Sequence, residues 1–157
     1  MISKYKKNGF IVEKVFSDKE IKAFEKTFVQ ICKMQMKKIN IKINSNNIQT
    51  IAKKLWKKNS QALEECCLMS RNTKEGHELA GNKKILEISK ILLNSKFPLI
   101  VSGPSFFVNF PKSSEKKYTW HSEQNWYPKR RNFLNIWCPI FEDRVKKNSM
   151  AIKEGSH

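Results

Sequence analysis

The chain has 157 residues, a length typical of one domain with a sizeable core. Hydrophobic residues make up 39% of it and charged residues 29%, a composition that excludes an intrinsically disordered chain. No apolar run reaches the roughly 18 residues that a membrane-spanning helix needs. No apolar stretch follows the basic N-terminus, so a secretory signal is not indicated. We expect a cytoplasmic protein without a membrane partner.

The formal net charge of +17 raises the question of a nucleic-acid partner. Lysine supplies 27 of the 31 basic residues, whereas arginine, the better residue for bidentate phosphate and base contacts, supplies only 4. The lysines are scattered as short pairs, and the abundance of Lys, Ile and Asn resembles the codon bias of an AT-rich genome. We therefore expect solvated surface lysines and no specific nucleic-acid partner.

The four cysteines are Cys32, Cys66, Cys67 and Cys138. None of them has C-x-x-C spacing, and the adjacent pair suits neither a zinc knuckle nor an easy disulfide. The sequence therefore predicts free, buried thiols in a reducing compartment.

The first 96 residues are predicted to be mainly helical. Ser17 and Glu20 have the spacing of a capping box, and apolar residues follow at helical spacing, which predicts a helix over about residues 18–38. The apolar residues Ile48, Ile51 and Leu55 mark a second helix, and further apolar stripes predict a helix over residues 61–69 and a helix over residues 79–93. The core candidates of the last helix are Leu86, Ile88, Ile91 and Leu92.

The second half of the chain has the composition of strands. Short apolar runs occupy residues 97–101 and 105–110 with a Ser-Gly-Pro turn signal between them, and residues 132–140 are rich in aromatic and β-branched side chains. Residues 149–152 could form a last strand. Helices followed by strands without alternation predict an α+β fold, or a helical cap on a β structure, in a single domain over residues 1–157.

The candidate chemistry also lies in the second half. His121 and Glu123 are two residues apart, so on an extended segment their side chains point to the same face and can converge on one ion. With a further histidine, His157, the set contains two imidazoles and one carboxylate, which is the facial triad of non-haem Fe(II) oxygenases. An isolated H-x-E tripeptide, however, is more often a surface histidine than a metal ligand.

The sequence around these residues resembles the phytanoyl-CoA dioxygenase family of Fe(II)- and 2-oxoglutarate-dependent oxygenases. The opening segment YKKNGFIV from Tyr5 is also similar to the start of family members. In chain order the matching motifs are FFVNFP from Phe106, WHSE from Trp120, WYP from Trp126, NIWCP from Asn135, NSM from Asn148 and GSH from Gly155.

The resemblance implies a double-stranded β-helix, a cupin-like jelly roll, with helices at its N-terminal side. It also implies that His121, Glu123 and His157 are the catalytic Fe(II) ligands. On matched positions, the candidate contacts to the co-substrate 2-oxoglutarate are Phe106, Ser122 and Trp137. Phe106 and Trp137 fit equally well as ordinary core residues.

The implied activity is hydroxylation of a small organic substrate by O₂, coupled to conversion of 2-oxoglutarate to succinate and CO₂. Some relatives have a small residue in place of the carboxylate, which opens a coordination position on the iron for halide. Glu123 is present here, which favours hydroxylation over halogenation. Family members continue beyond the distal histidine to an arginine that binds the co-substrate carboxylate. The resemblance therefore implies that the 157 residues are an N-terminal portion, with C-terminal strands missing. The alternatives are a non-catalytic jelly-roll remnant that binds metal or ligand without turnover, and a basic nucleic-acid-binding protein.

Overall fold

The structure, a computed structural model, describes residues 1–99, 104–108, 120–122, 132–140 and 150–156. None of the helices in this part of the chain is both long and apolar enough to cross a lipid bilayer. The helices there are α1 (Ile2–Asn8), α2 (Asp18–Lys38), α3 (Ile48–Lys58), α4 (Ser60–Arg71), α5 (Lys74–Ala80) and α6 (Lys83–Leu92).

The chain divides into two compact units. The four-helix unit comprises residues 16–82 and 101–110, and it therefore contains α2 to α5. The two-helix unit comprises residues 1–15, 83–100 and 111–157, and it contains α1 and α6.

The predicted start of α2 is confirmed. The Ser17 amide donates to Glu20 Oε2 at 2.7 Å, and the Glu20 amide donates to Ser17 Oγ at 3.3 Å, which completes the capping box. Hydrogen bonds from the Ser17 hydroxyl and backbone amide lower the pKa of the Glu20 carboxyl. Two amides left unpaired by helix geometry are thereby satisfied at the first turn of the longest helix.

We expect Ser17→Ala to lower the free energy of unfolding by about 1 kcal/mol, the usual cost of a lost N-cap. Because the folded-state pKa of Glu20 is depressed, its contribution is present above its ordinary pKa of 4.5 and is lost as the pH falls through the folded value. The difference between wild type and variant in urea unfolding should therefore shrink below about pH 4.5. The exposed Ser3 in α1 provides the matched control Ser3→Ala, and an equal loss there would contradict the capping role.

The core of the four-helix unit is built from one side of each helix. Four residues of α2 recur every fourth position and are at most 2% exposed, because that spacing places them on one face. The predicted core positions of α3 are confirmed, and the helix predicted over residues 61–69 is α4. The principal core residues are Phe24, Phe28, Cys32 and Met36 of α2, Ile51 and Leu55 of α3, and Ala62, Leu63 and Cys66 of α4.

The single helix predicted over residues 79–93 is wrong, because the chain breaks at Gly81 and Asn82 into α5 and α6. The Gly81 amide closes α5 by donating to the His77 carbonyl at 2.8 Å, and the Asn82 side chain donates to Glu20 Oε1 at 2.8 Å. Glycine has low helix propensity, and asparagine forms competing hydrogen bonds outside helices. Of the four core candidates of this segment, Ile91 is 46% exposed and the others are half-buried.

The α+β prediction with its jelly roll and missing C-terminal strands is also wrong, since the described residues contain helices and no strand or sheet. Phe97 and Leu99 are 82% and 83% exposed, so these two side chains are not covered by a second layer. Residues 104–108 and 132–140 are neither helical nor paired in a ladder. A strand forms only when a neighbouring strand takes its backbone groups, and a short apolar run does not specify that neighbour.

Candidate functional site

The first predicted metal ligand, His121, lies in the two-helix unit on non-helical backbone. His121 and the adjacent Ser122 are exposed, and the preceding Trp120 is 73% exposed. The other two predicted ligands, Glu123 and His157, lie outside the described residues. The structure therefore describes the backbone type and the accessibility of one of the three predicted ligands.

Within the described residues, no group of three or more His, Cys, Asp or Glu side chains is arranged to hold a metal ion. Glu123 and His157 are not among those residues, so the triad stays a prediction.

Phe106, a candidate co-substrate contact, packs against α2 in the four-helix unit. Its ring contacts the rings of Phe24 and Phe28 edge-on, with both pairs of ring centroids 5.1 Å apart and interplanar angles of 86° and 81°. This T-shaped geometry is the favoured one for aromatic pairs. These contacts support the interpretation of Phe106 as a core residue. Its role toward 2-oxoglutarate stays a prediction.

Trp137, the other aromatic candidate, lies in the two-helix unit on non-helical backbone and is 50% exposed. The neighbouring Cys138 is half-buried, and this burial raises the pKa of its thiol. Half of the Trp137 side chain is thus in contact with solvent, and its role toward 2-oxoglutarate stays a prediction.

The predicted free, buried thiols are confirmed for three of the four cysteines. Cys32, Cys66 and Cys67 are 0%, 0% and 7% exposed, and none of the four forms a disulfide. The thiols of Cys32 and Cys66 are hydrogen-bonded between α2 and α4, and this bond together with burial raises the pKa of Cys32. Cys32 therefore stays a neutral thiol inside the helix packing.

A groove beside α2 is a feature that the sequence interpretation missed. It is an open depression of about 480 Å³, and Lys33 Nζ donates to Asn46 Oδ1 at this site. The signal for it in the sequence is the helical spacing of lysines along α2, which a count of lysine pairs does not reveal. We call this feature the α2 groove; its polar lining consists of Lys22, Glu25, Lys26, Gln30, Lys33 and Asn46.

No family model, no characterised protein and no solved structure matches this chain.

Proposed function

We propose that this chain supplies the iron ligands of an Fe(II)- and 2-oxoglutarate-dependent dioxygenase that hydroxylates a small organic substrate. The ligands are His121, Glu123 and His157, and the reaction consumes O₂ and converts 2-oxoglutarate to succinate and CO₂. The proposal rests on the resemblance of the segment from Phe106 onward to the phytanoyl-CoA dioxygenase family, together with the position of His121.

The observation that carries the proposal is the non-helical, exposed backbone at His121 and Ser122. On a helix, side chains two residues apart point about 200° away from each other, and His121 and Glu123 could not bind one ion. On extended backbone the same spacing brings both side chains to one face. An exposed imidazole is also accessible to a metal ion from solvent.

The chemistry of this donor set fits ferrous iron. Two neutral imidazoles and one carboxylate leave a divalent ion with net positive charge and open positions. The iron, when bound, supplies the activation of O₂. The chain's own side chains hold the ion, while the residual charge favours an α-keto carboxylate beside it. Ser122, between two of the ligands in sequence, is the candidate donor to that carboxylate.

Removal of one ligand is expected to reduce metal affinity steeply. We expect His121→Ala and Glu123→Ala each to weaken the binding of Ni(II) or Co(II), used as air-stable substitutes for Fe(II), by at least about 100-fold in calorimetry. Loss of a group that only orients a metal ligand already costs 10–100-fold.

Two variants of the same residue types serve as controls. His77 is exposed in α5 and Glu13 is exposed before α2, so His77→Ala and Glu13→Ala should leave the affinity unchanged. Equal affinity in wild type, His121→Ala and Glu123→Ala would show that the triad is not the site. Binding of metal without succinate formation from 2-oxoglutarate and O₂, across a broad substrate panel, would favour the non-catalytic alternative.

A further inference from the structure

Positive charge is concentrated in one part of the four-helix unit. Residues 18–58 contain eleven lysines against one aspartate and two glutamates, whereas residues 59–82 contain one lysine and one arginine against four glutamates. If the excess of lysine reflected only the overall composition of the chain, it would be similar in both segments. The segment with α2 and α3 is therefore strongly basic, and the segment with α4 and α5 is slightly acidic.

On α2 the lysines form a stripe along one side of the helix. At 100° per residue, the five lysines of the stripe fall within an arc of about 60°, and their Cα atoms span about 27 Å of helix axis. No acidic residue of α2 lies inside this arc, while Asp18 and Glu25 lie about 40° and 60° from its edge. Four of the five side chains are exposed, and Lys33 is half-buried. The lysines of the stripe are Lys19, Lys22, Lys26, Lys33 and Lys37.

The central part of this stripe lines the α2 groove. Lys22, Lys26 and Lys33 line it from the helix, and the amide side chains of Gln30 and Asn46 add neutral hydrogen-bonding groups. The contact from Lys33 Nζ to Asn46 Oδ1 holds that ammonium at the groove. A concave surface with three ammonium groups, two amides and one carboxylate suits a ligand that carries regularly spaced negative charge.

We propose that the α2 groove and its lysine stripe bind the phosphate backbone of a single-stranded nucleic acid without regard to base sequence. Backbone contacts by lysine position a strand and carry no sequence information. Residues 16–58 contain no arginine, the residue most used for bidentate contacts to guanine, which agrees with the absence of base readout. A basic groove that follows the backbone is the common feature of proteins that bind single strands.

An anionic membrane surface fits this side of α2 less well. The apolar face of α2 is buried through Phe24, Phe28 and Val29, so it cannot enter a lipid headgroup layer. Lys33 lies half-buried at a concave site, where a narrow chain reaches it more easily than a flat surface does.

The structure also sets the expected strength of binding. No aromatic side chain of the described residues lines the α2 groove, so base stacking does not add to the phosphate contacts. Binding should therefore be mainly electrostatic, with a dissociation constant of about 10⁻⁴–10⁻⁶ M at physiological salt. With five phosphate contacts, the logarithm of affinity should fall with the logarithm of salt concentration with a slope of about −3.5.

The experiment measures fluorescence anisotropy of a labelled 20-nucleotide oligouridylate against the full chain at several salt concentrations. We expect the triple variant Lys22→Gln, Lys26→Gln, Lys33→Gln to reduce the size of the slope by about 2 and the affinity at 0.1 M salt by roughly 100-fold. The triple variant with arginine at the same positions keeps the charge and should bind about as well as wild type. Circular dichroism checks that each variant keeps its helix content.

The matched control removes the same charge elsewhere. Lys4, Lys6 and Lys7 are exposed in α1 and do not line the α2 groove, so their replacement by glutamine should change the affinity by less than about threefold. An equal loss in this control, or a loss in the arginine variant, would overturn the proposal. Binding to phosphatidylserine vesicles with none to the oligouridylate would likewise overturn it in favour of a membrane surface.

Discussion

Replacing Phe28 with alanine is expected to lower the free energy of unfolding by about 3–5 kcal/mol. Phe28 is fully buried on α2, and its ring also supports the edge-on contact with Phe106. The substitution removes the transfer free energy of the ring and leaves a cavity that the helices can fill only in part. Urea unfolding followed by circular dichroism measures the loss.

Phe97 provides the matched control, since its side chain is 82% exposed and Phe97→Ala should change stability by less than about 0.5 kcal/mol. The double variant Phe28→Ala, Phe106→Ala tests the contact itself. Because each ring supports the other, we expect a coupling energy of about 0.5–1.5 kcal/mol. Strict additivity would mean that residues 104–108 do not pack on α2 in solution.

Gly76→Ala is expected to destabilise the junction between α4 and α5 by about 1–2 kcal/mol. A Cβ atom at Gly76 would lie 2.6 Å from the carbonyl oxygens of both Ser70 and Arg71, so the backbone of one helix end must move. Because these are contacts with backbone atoms, the cost lies in the upper part of the usual range for overpacking, about 2–3 kcal/mol. Alanine recovers part of that cost, since it exceeds glycine in helix propensity by about 1 kcal/mol.

The same substitution at Gly81 separates the steric effect from helix propensity. A Cβ atom there meets only the His77 carbonyl oxygen, at 3.3 Å, and the backbone φ of −89° is ordinary for any residue. We expect Gly81→Ala to change the thermal midpoint little. A Gly76→Ala protein as stable as wild type would show that the two helix ends do not approach each other closely.

The helices of the four-helix unit could be predicted because their signals are local. The capping box of Ser17 and Glu20 and the spacing of Phe24 and Phe28 depend on residues within one or two turns, and the structure reproduces both. The same holds for α3, where Ile51 and Leu55 are fully buried as their spacing predicts. The apolar face of a single helix is enough to predict both that the helix forms and which of its sides is buried.

The features that were missed depend on partners that are distant in sequence. The apolar run that contains Phe97 does not reveal whether another strand takes its backbone groups, and the ring of Phe106 packs on a helix some eighty residues earlier. The break after α5 lies where the Asn82 side chain donates a hydrogen bond to Glu20, which is 62 residues away in the sequence. For the candidate metal site, the H-x-E spacing predicts a shared metal ion only if the backbone is extended. The sequence of the tripeptide alone does not determine the backbone conformation.

The buried thiols of the four-helix unit can report on the separation of its helices. Cys32 and Cys66 are completely shielded from solvent, so a thiol reagent can reach them only after the helices separate. Their modification rate then reports the free energy of opening rather than the reactivity of sulfur. Cys138 in the two-helix unit is half-buried and needs no such opening, so one alkylation time course would separate this accessible thiol from those whose modification requires the helices of the four-helix unit to part.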